Sequence, residues 1–163
     1  MSKFSNVAPL DLGVITVRPE WIDYNGHMNV AYYVAAFDLG LDKMFQIIEL
    51  DESYFKQSNC SSFTLEAHIN YMDEVKLGDP LQINARLLDF DKKRMHVYLE
   101  MYHATEKYLS ATTEMIMMHI DMSSRSSSNY PITIYDHLSK LFSDHRDLPQ
   151  PENCGRIIKI KRK

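Results

Sequence analysis

Apolar and polar residues follow two different rhythms along this chain. Residues 12–17 read L-G-V-I-T-V, a β-branched apolar run that predicts a strand. Pro19 ends it, because proline has no amide to give to a ladder. From about 29 to 50 the rhythm becomes helical. Val34, Phe37, Leu41, Met44, Phe45 and Ile48 form an apolar stripe, and Ala31, Ala35, Ala36 and Leu39 keep the other side small and only mildly polar. A helix apolar on most of its circumference is expected to be wrapped by other elements, not laid on a surface. Asn29 suits its cap, since its side-chain oxygen can accept an orphan amide of the first turn. Residues 51–62 are polar and serine-rich and predict a loop with room for one helical turn.

Four runs of period two follow. Over 63–72, Phe63, Leu65, Ala67, Ile69 and Tyr71 alternate with Thr64, Glu66, His68 and Asn70. Over 81–87, Leu81, Ile83, Ala85 and Leu87 alternate with Gln82, Asn84 and Arg86. The third run covers about 95–103, and the fourth about 108–121 with a Met-rich middle. Four successive runs of this kind predict an antiparallel meander with one face covered. Gly78-Asp79-Pro80 and residues 89–93 supply turns, and 104–107 a weaker one. Residues 123–128 read as a Ser/Arg linker, and 132–142 as a short helix with Ile134, Leu138 and Leu141 in register. The end, 156–163, alternates Ile with Lys and Arg, as either a final strand or a frayed basic tail.

The expected architecture is therefore α+β: an antiparallel sheet around one long central helix. It forms one domain over 1–163, with a core of about 12–122, a C-terminal extension of about 123–163 and a loose lead-in at 1–10. Such a sheet leaves an open edge, which calls for a partner chain: a homodimer or a dimer of dimers.

Composition narrows the function. The chain has 163 residues, 45% hydrophobic and 25% charged, enough for a core. A formal net charge of -4 argues against nucleic acid as a partner. Cys60 and Cys154 are too few and too scattered for a disulfide framework or a zinc site, and fit free thiols in a reducing cytoplasm. No signal-like start and no apolar run of membrane length is present, so a cytoplasmic protein without membrane contact is expected. His96, His103 and His119 lack metal-ligand spacing and read as surface or core histidines. Met115, Met117, Met118 and Met122 read as core, with the pliability to line an acyl tunnel.

Polar chemistry concentrates in W-I-D-Y-N-G-H-M-N-V, residues 21–30, between the first strand and the helix. Asp23 precedes the helix, and Gly26 permits a bend that a side chain would obstruct. Amides of the first helical turn, near Val30, would face back over this loop. A helix N-terminus suits an oxyanion forming on a carbonyl. A carboxylate beside it can attack a thioester or ester, or activate water to do so. His27 and Asn29 can position the carbonyl or the water. The plainer reading of residues 23–26 is a good turn and nothing more.

The stretch resembles the Asp-x-x-Gly-His-x-Asn signature of hotdog-fold acyl-CoA thioesterases of the 4-hydroxybenzoyl-CoA thioesterase type, here Asp23, Gly26, His27 and Asn29. Relatives often carry a second Asp two positions earlier, where this chain has Trp21. H-I-N-Y-M-D-E-V-K-L-G-D, residues 68–79, resembles the strand and turn after that family's helix, so the likeness spans about 14–122. The resemblance implies Asp23 as nucleophile or general base, the amide near Val30 as oxyanion donor, a site built across a dimer interface, no metal and no cofactor beyond the acyl-CoA substrate. The wording around Trp21 also resembles the branch linked to betainyl-CoA hydrolysis in carnitine breakdown. A trimethylammonium head asks for aromatic rings or a carboxylate. Trp21, Tyr24, Tyr32, Tyr33 and Glu66 are the candidates. His68 and Asn70 share Glu66's strand face and either reach a cleft or face solvent. Arg125 heads the candidates for CoA phosphate contacts, followed by Arg86, Lys92, Lys93 and Arg94.

Two other functions fit the same scaffold. A β-hydroxyacyl-thioester dehydratase needs a histidine base, for which His27 is the one motif candidate. A non-catalytic acyl-CoA binding protein would bind without turnover. Product analysis separates both from a hydrolase.

Overall fold

The computed structural model of the chain describes residues 8–160. Its elements are β1 (Leu10–Thr16), α1 (Val30–Ile47), α2 (Glu52–Ser58), β2 (Cys60–Tyr71), β3 (Pro80–Phe90), β4 (Arg94–His103), β5 (Leu109–Asp121), β6 (Ser126–Ser127) and α3 (Ile132–His145). Most of the expected lead-in, residues 1–7, and the last three residues of the tail lie outside the described residues.

The strands form one antiparallel sheet in the order β1-β3-β4-β5-β2, with β6 added to β5. The predicted four-run meander is therefore corrected. β3, β4 and β5 follow one another, but β2 pairs with β5 at the far edge. The connection over 72–79 returns across the end of the sheet. It is pinned there by Met28 N to Val75 O (2.8 Å), Val17 N to Asp79 O (3.0 Å) and Gly78 N to Val17 O (3.0 Å). Alternation reveals that a run is a strand and which face is buried; it carries no record of which neighbour it meets.

α1 lies on the inner face. Tyr33, Ala36, Phe37, Gly40, Leu41 and Met44 are buried against the sheet. Gly40 is needed for that approach, because a Cβ there would lie 2.8 Å from Ile83 Cγ2. The opposite side of the helix is open: Val30 and Val34 are exposed, as are Ala31 and Ala35. The expected full wrapping is thus not achieved within one chain. The helix also ends earlier than expected, with Ile48 as its cap and Glu49 in the left-handed region.

The expected loop at 51–62 contains α2. Asp51 caps it by accepting from the amides of Ser53 and Tyr54, and Asn59 at φ 54° ends it. α3 is three residues longer than expected and sits beside α1 on the inner face. His137 Nδ1 lies 3.0 Å from Ile48 O, and Ile134, Leu138 and Leu141 join the same core as Leu81, Ile83 and Leu87.

The outer face of the sheet is polar. Arg86 of β3 and Glu100 of β4 form an ion pair there at 3.6 Å. Residues 149–156 cross this face as an irregular strap. Arg86 Nη1 donates to Pro149 O (2.6 Å), Gly155 N to Glu114 Oε2 (2.7 Å) and Arg156 Nη1 to Asn70 Oδ1 (3.2 Å). The open question of strand or tail at 156–163 is answered in part: residues 156–160 form no strand, and Ile157, Ile158 and Ile160 are exposed. Among the described residues no helix is long and apolar enough to cross a membrane.

Candidate active site

The loop before α1 is a closed hairpin built by its own sequence. Asp23 N donates to His27 O (3.1 Å), Gly26 N to Asp23 O (3.0 Å), and Ile22 bridges to Met28. Gly26 sits at φ 83°, where a residue with a Cβ is strained. Met28 is 1% exposed and anchors the hairpin in the core, while Asn29 N closes on Trp21 O at 2.9 Å.

This hairpin holds Asp23 and the head of α1 over one cleft of about 320 Å³. One wall is Asp23, His27, Asn29, Val30 and Tyr33; the other is Tyr71, Met72, Asp73 and Glu74. Clefts of similar volume occur elsewhere, so the residues and not the size single this one out. Asp23 is half-buried. Its Oδ1 accepts from the Asn25 amide at 2.8 Å, which fixes the carboxylate and leaves Oδ2 without a partner among the described residues. Asn29 Oδ1 accepts from the Ala31 amide (3.0 Å), so this side chain serves as the helix cap. The Val30 amide has no acceptor among the described residues. His27 Nδ1 is 3.4 Å from the neighbouring carbonyl of Met28, a weak contact. Tyr33 is buried, edge-on to Tyr71 with ring centroids 5.2 Å apart, and burial pushes its phenol up. A fixed carboxylate and a free helix-head amide lining one cleft can between them deliver or activate a nucleophile at a carbonyl and receive its oxygen.

The remaining candidates are dispersed. Trp21 is 4% exposed and lies in the core, stacked on Tyr32 at 5.9 Å, with the Arg18 guanidinium already 5.1 Å from its ring centre. Tyr24 is 97% exposed at the tip of the hairpin. Of the four aromatic candidates only Tyr33 lines the cleft, so the proposed cage does not assemble within one chain. Glu66 and His68 do share a strand face, but it is the outer one, where they border a different cleft with His96 and Glu114. Asn70 is buried there against Thr112 and Arg156. Glu66 is also about 16 Å from Tyr71 along β2 at the usual rise per residue. Arg125 stands in the turn between β5 and β6, and Cys60 pairs with Asp121 while Tyr71 pairs with Ala111. Arg125 is therefore at the far end of the sheet from Asp23. Arg86 and Arg94 are engaged by Glu100 and Asp91 respectively.

Sequence reasoning missed the second wall. Tyr71, Met72, Asp73 and Glu74 lie in a stretch whose family likeness was visible, but no role followed from it. The contact of Met28 N with Val75 O, which folds that stretch under the hairpin, has no local signal.

Comparison with known proteins places this geometry. Residues 17–148 match the thioesterase-like superfamily. The chain is 34% identical over 142 residues to the betainyl-CoA thioesterase of Pseudomonas aeruginosa, covering 87% of this chain and 89% of that protein. It is 32% identical to the L-carnitine dehydrogenase/betainyl-CoA thioesterase of Rhizobium meliloti, over 94% of this chain but 31% of that longer protein. Among solved structures, a hypothetical protein of Staphylococcus aureus in complex with CoA superposes with a TM-score of 0.89 at 27% identity, covering 98% of this chain and 100% of that one. A putative thioesterase of Pseudomonas putida superposes with a TM-score of 0.82 at 33% identity, over 95% of this chain and 99% of that one. The chain belongs to the thioesterase-like superfamily and is a thioester hydrolase on the hotdog fold.

Proposed function

We propose that this protein hydrolyses acyl-CoA thioesters with a cationic acyl head, betainyl-CoA above all, using Asp23 and the Val30 amide. The observation that carries the reading is their shared cleft: a carboxylate with one oxygen free and an amide with no acceptor among the described residues line it together. Asp23 takes a proton from water as its oxygen adds to the carbonyl carbon, or adds itself and is then released by water. In either course the Val30 amide receives the developing oxyanion and the C–S bond breaks. In the first course the proton held by Asp23 passes to the departing sulfur; in the second CoA leaves as thiolate, water then hydrolyses the acyl–Asp23 anhydride to the free acid and the carboxylate, and the proton released goes to the thiolate. The cationic head is supported by the opposite wall, where Asp73 and Glu74 supply negative charge beside the rings of Tyr33 and Tyr71. The two relatives named for betainyl-CoA point the same way.

A homodimer completes this reading. Phe63, Leu65, Tyr71 and Met72 of the β2 edge and its end are exposed, and so are Val30 and Val34 of α1. A second copy would cover both sets, and could bring its own Glu66, His68 or Arg125 nearer the cleft than one chain does. The test is a panel of acyl-CoA substrates with free thiol detected. Betainyl-CoA is expected to exceed its neutral isostere in kcat/KM by tenfold or more, with Asp23→Asn inactive on both. Equal rates for the two substrates would overturn the head-group assignment; an active Asp23→Asn would overturn the mechanism.

A further inference from the structure

The outer face of the sheet carries side chains that the thioesterase chemistry does not use. β4 presents His96 and β5 presents Glu114 on this face, and the strap lowers Cys154 onto both. His96 Nε2 is 2.8 Å from Glu114 Oε1, and Cys154 Sγ is 3.5 Å from the same oxygen. One ligand-type atom from each of the three lies within 4.8 Å of the others. We propose that His96, Glu114 and Cys154 bind a divalent cation of the zinc class, which fastens the C-terminal strap to the sheet.

The donor set is the first argument. Imidazole nitrogen, carboxylate oxygen and thiolate sulfur are the three ligand types that zinc combines, and the hard oxygen-only cations avoid the sulfur. Charge is the second. One thiolate and one carboxylate neutralise a divalent ion, so the complex adds no net charge to a half-buried face. Geometry is the third. In a tetrahedron with bonds of about 2.1 Å the ligand atoms stand about 3.4 Å apart, and the observed separations need adjustments of an ångström or so, largely rotamer shifts. The Gly155 amide holds Glu114 Oε2 at 2.7 Å, which turns Oε1 toward both partners as an outer-shell hydrogen bond does in metal sites. Two of the ligands stand on adjacent central strands, and Arg86 and Arg156 hold the strap on either side of the third. His96 and Glu114 also line a cleft of about 320 Å³ bordered by Glu66 and His68, with His68 directly across the ladder from Glu114. His68 or a water can complete the shell. On binding, the Cys154 S–H bond breaks, a sulfur–metal bond forms and one proton goes to solvent; no electrons are transferred.

The experiment is a titration of the reduced, chelator-stripped full-length protein with Co2+. One equivalent is expected to bind, with a thiolate-to-cobalt charge-transfer band and tetrahedral visible bands, both removed by added Zn2+. One proton should be released per metal. Cys154→Ser should abolish the charge-transfer band, Cys60→Ser should leave it unchanged, and His96→Gln should weaken binding by about 10–100-fold or more. A second measurement avoids variants altogether: Zn2+ should slow alkylation of Cys154 at least tenfold in the wild-type protein without slowing that of Cys60. Absence of saturable binding, a band that survives Cys154→Ser, or equal alkylation of Cys154 with and without Zn2+ would overturn the proposal and leave a purely hydrogen-bonded tie.

Discussion

The hairpin ahead of α1 and the outer face of the sheet are both polar clusters held against rigid elements, yet they are made in opposite ways. The hairpin is local. Asp23, Gly26, His27, Asn29 and Val30 lie within eight consecutive positions, and most of its hydrogen bonds close on themselves. The outer face is assembled from afar. His96, Glu114 and Cys154 meet because β4 pairs with β5 and because a strap returns after α3. A local site can be recognised from a motif and damaged by a single backbone change. An assembled one has no motif and depends on every element that delivers a residue to it.

The largest expected effect tests the chemistry of the local site. Asp23→Asn should lower kcat by about 10²–10⁴-fold while the far-UV circular dichroism and the oligomeric state stay as in wild type. A matching loss of structure would place Asp23 in the scaffold and not in the reaction. Next comes its anchor. Met28→Ala removes a side chain that is 1% exposed, and should cost about 2–5 kcal/mol in chemical denaturation. Gly26→Ala separates conformation from packing, because a Cβ there meets nothing within 4 Å while φ is 83°. The expected loss is about 1–2 kcal/mol from the left-handed backbone alone, with kcat falling more than KM as Asp23 shifts relative to Val30. An unchanged kcat would show that the hairpin tolerates more play than its closed hydrogen bonds suggest.

The smallest effect belongs to the long-range elements and is read by pH. The Leu87 amide donates to His145 Nδ1 at 2.9 Å, which ties α3 to β3 only while that nitrogen keeps its lone pair. Burial holds His145 below the usual imidazole range, with Asp144 working against it and Arg86 with it. Burial also lowers His119, against the opposing pull of the Ser128 carbonyl and Asp121. With both values depressed in the folded state, the unfolded chain binds protons first as pH falls. Stability from these rings is therefore complete above about pH 6.5 and is lost as pH drops through the folded values. Thermal unfolding from pH 8 to 5 should show a declining Tm, and His145→Gln should flatten part of the slope. A Tm that rises on acidification would contradict the sign.

The same contrast explains what could be read in advance. The strand and helix identities were legible because burial imposes its period on the residues themselves, as in Leu81, Ile83, Ala85 and Leu87. The hairpin that carries Asp23 was legible because its turn residues lie beside one another in sequence. The swap of β2 to the β5 edge was not, since the residues that decide it are Val75 and Asp79, whose backbone groups accept from distant amides. The aromatic cage does not assemble within one chain for a related reason. Trp21 and Tyr32 are neighbours of the site in sequence, but their rings satisfy each other and the core instead of the cleft. The return of Cys154 to β5 has no sequence signal either, because spacing along the chain does not record where a strap after α3 crosses the sheet.

The edge position of β2 has a consequence during synthesis. A ribosome makes this strand before β3, β4 and β5, yet the ladder that receives it, Cys60 opposite Asp121 through Tyr71 opposite Ala111, exists only once β5 has emerged. Until then the backbone amides and carbonyls of residues 60–71 have no ladder to join, and sequence-distant pairing of this sort closes slowly. The interval is a window in which chaperone capture, or premature association between neighbouring polypeptides on one message, competes with correct closure.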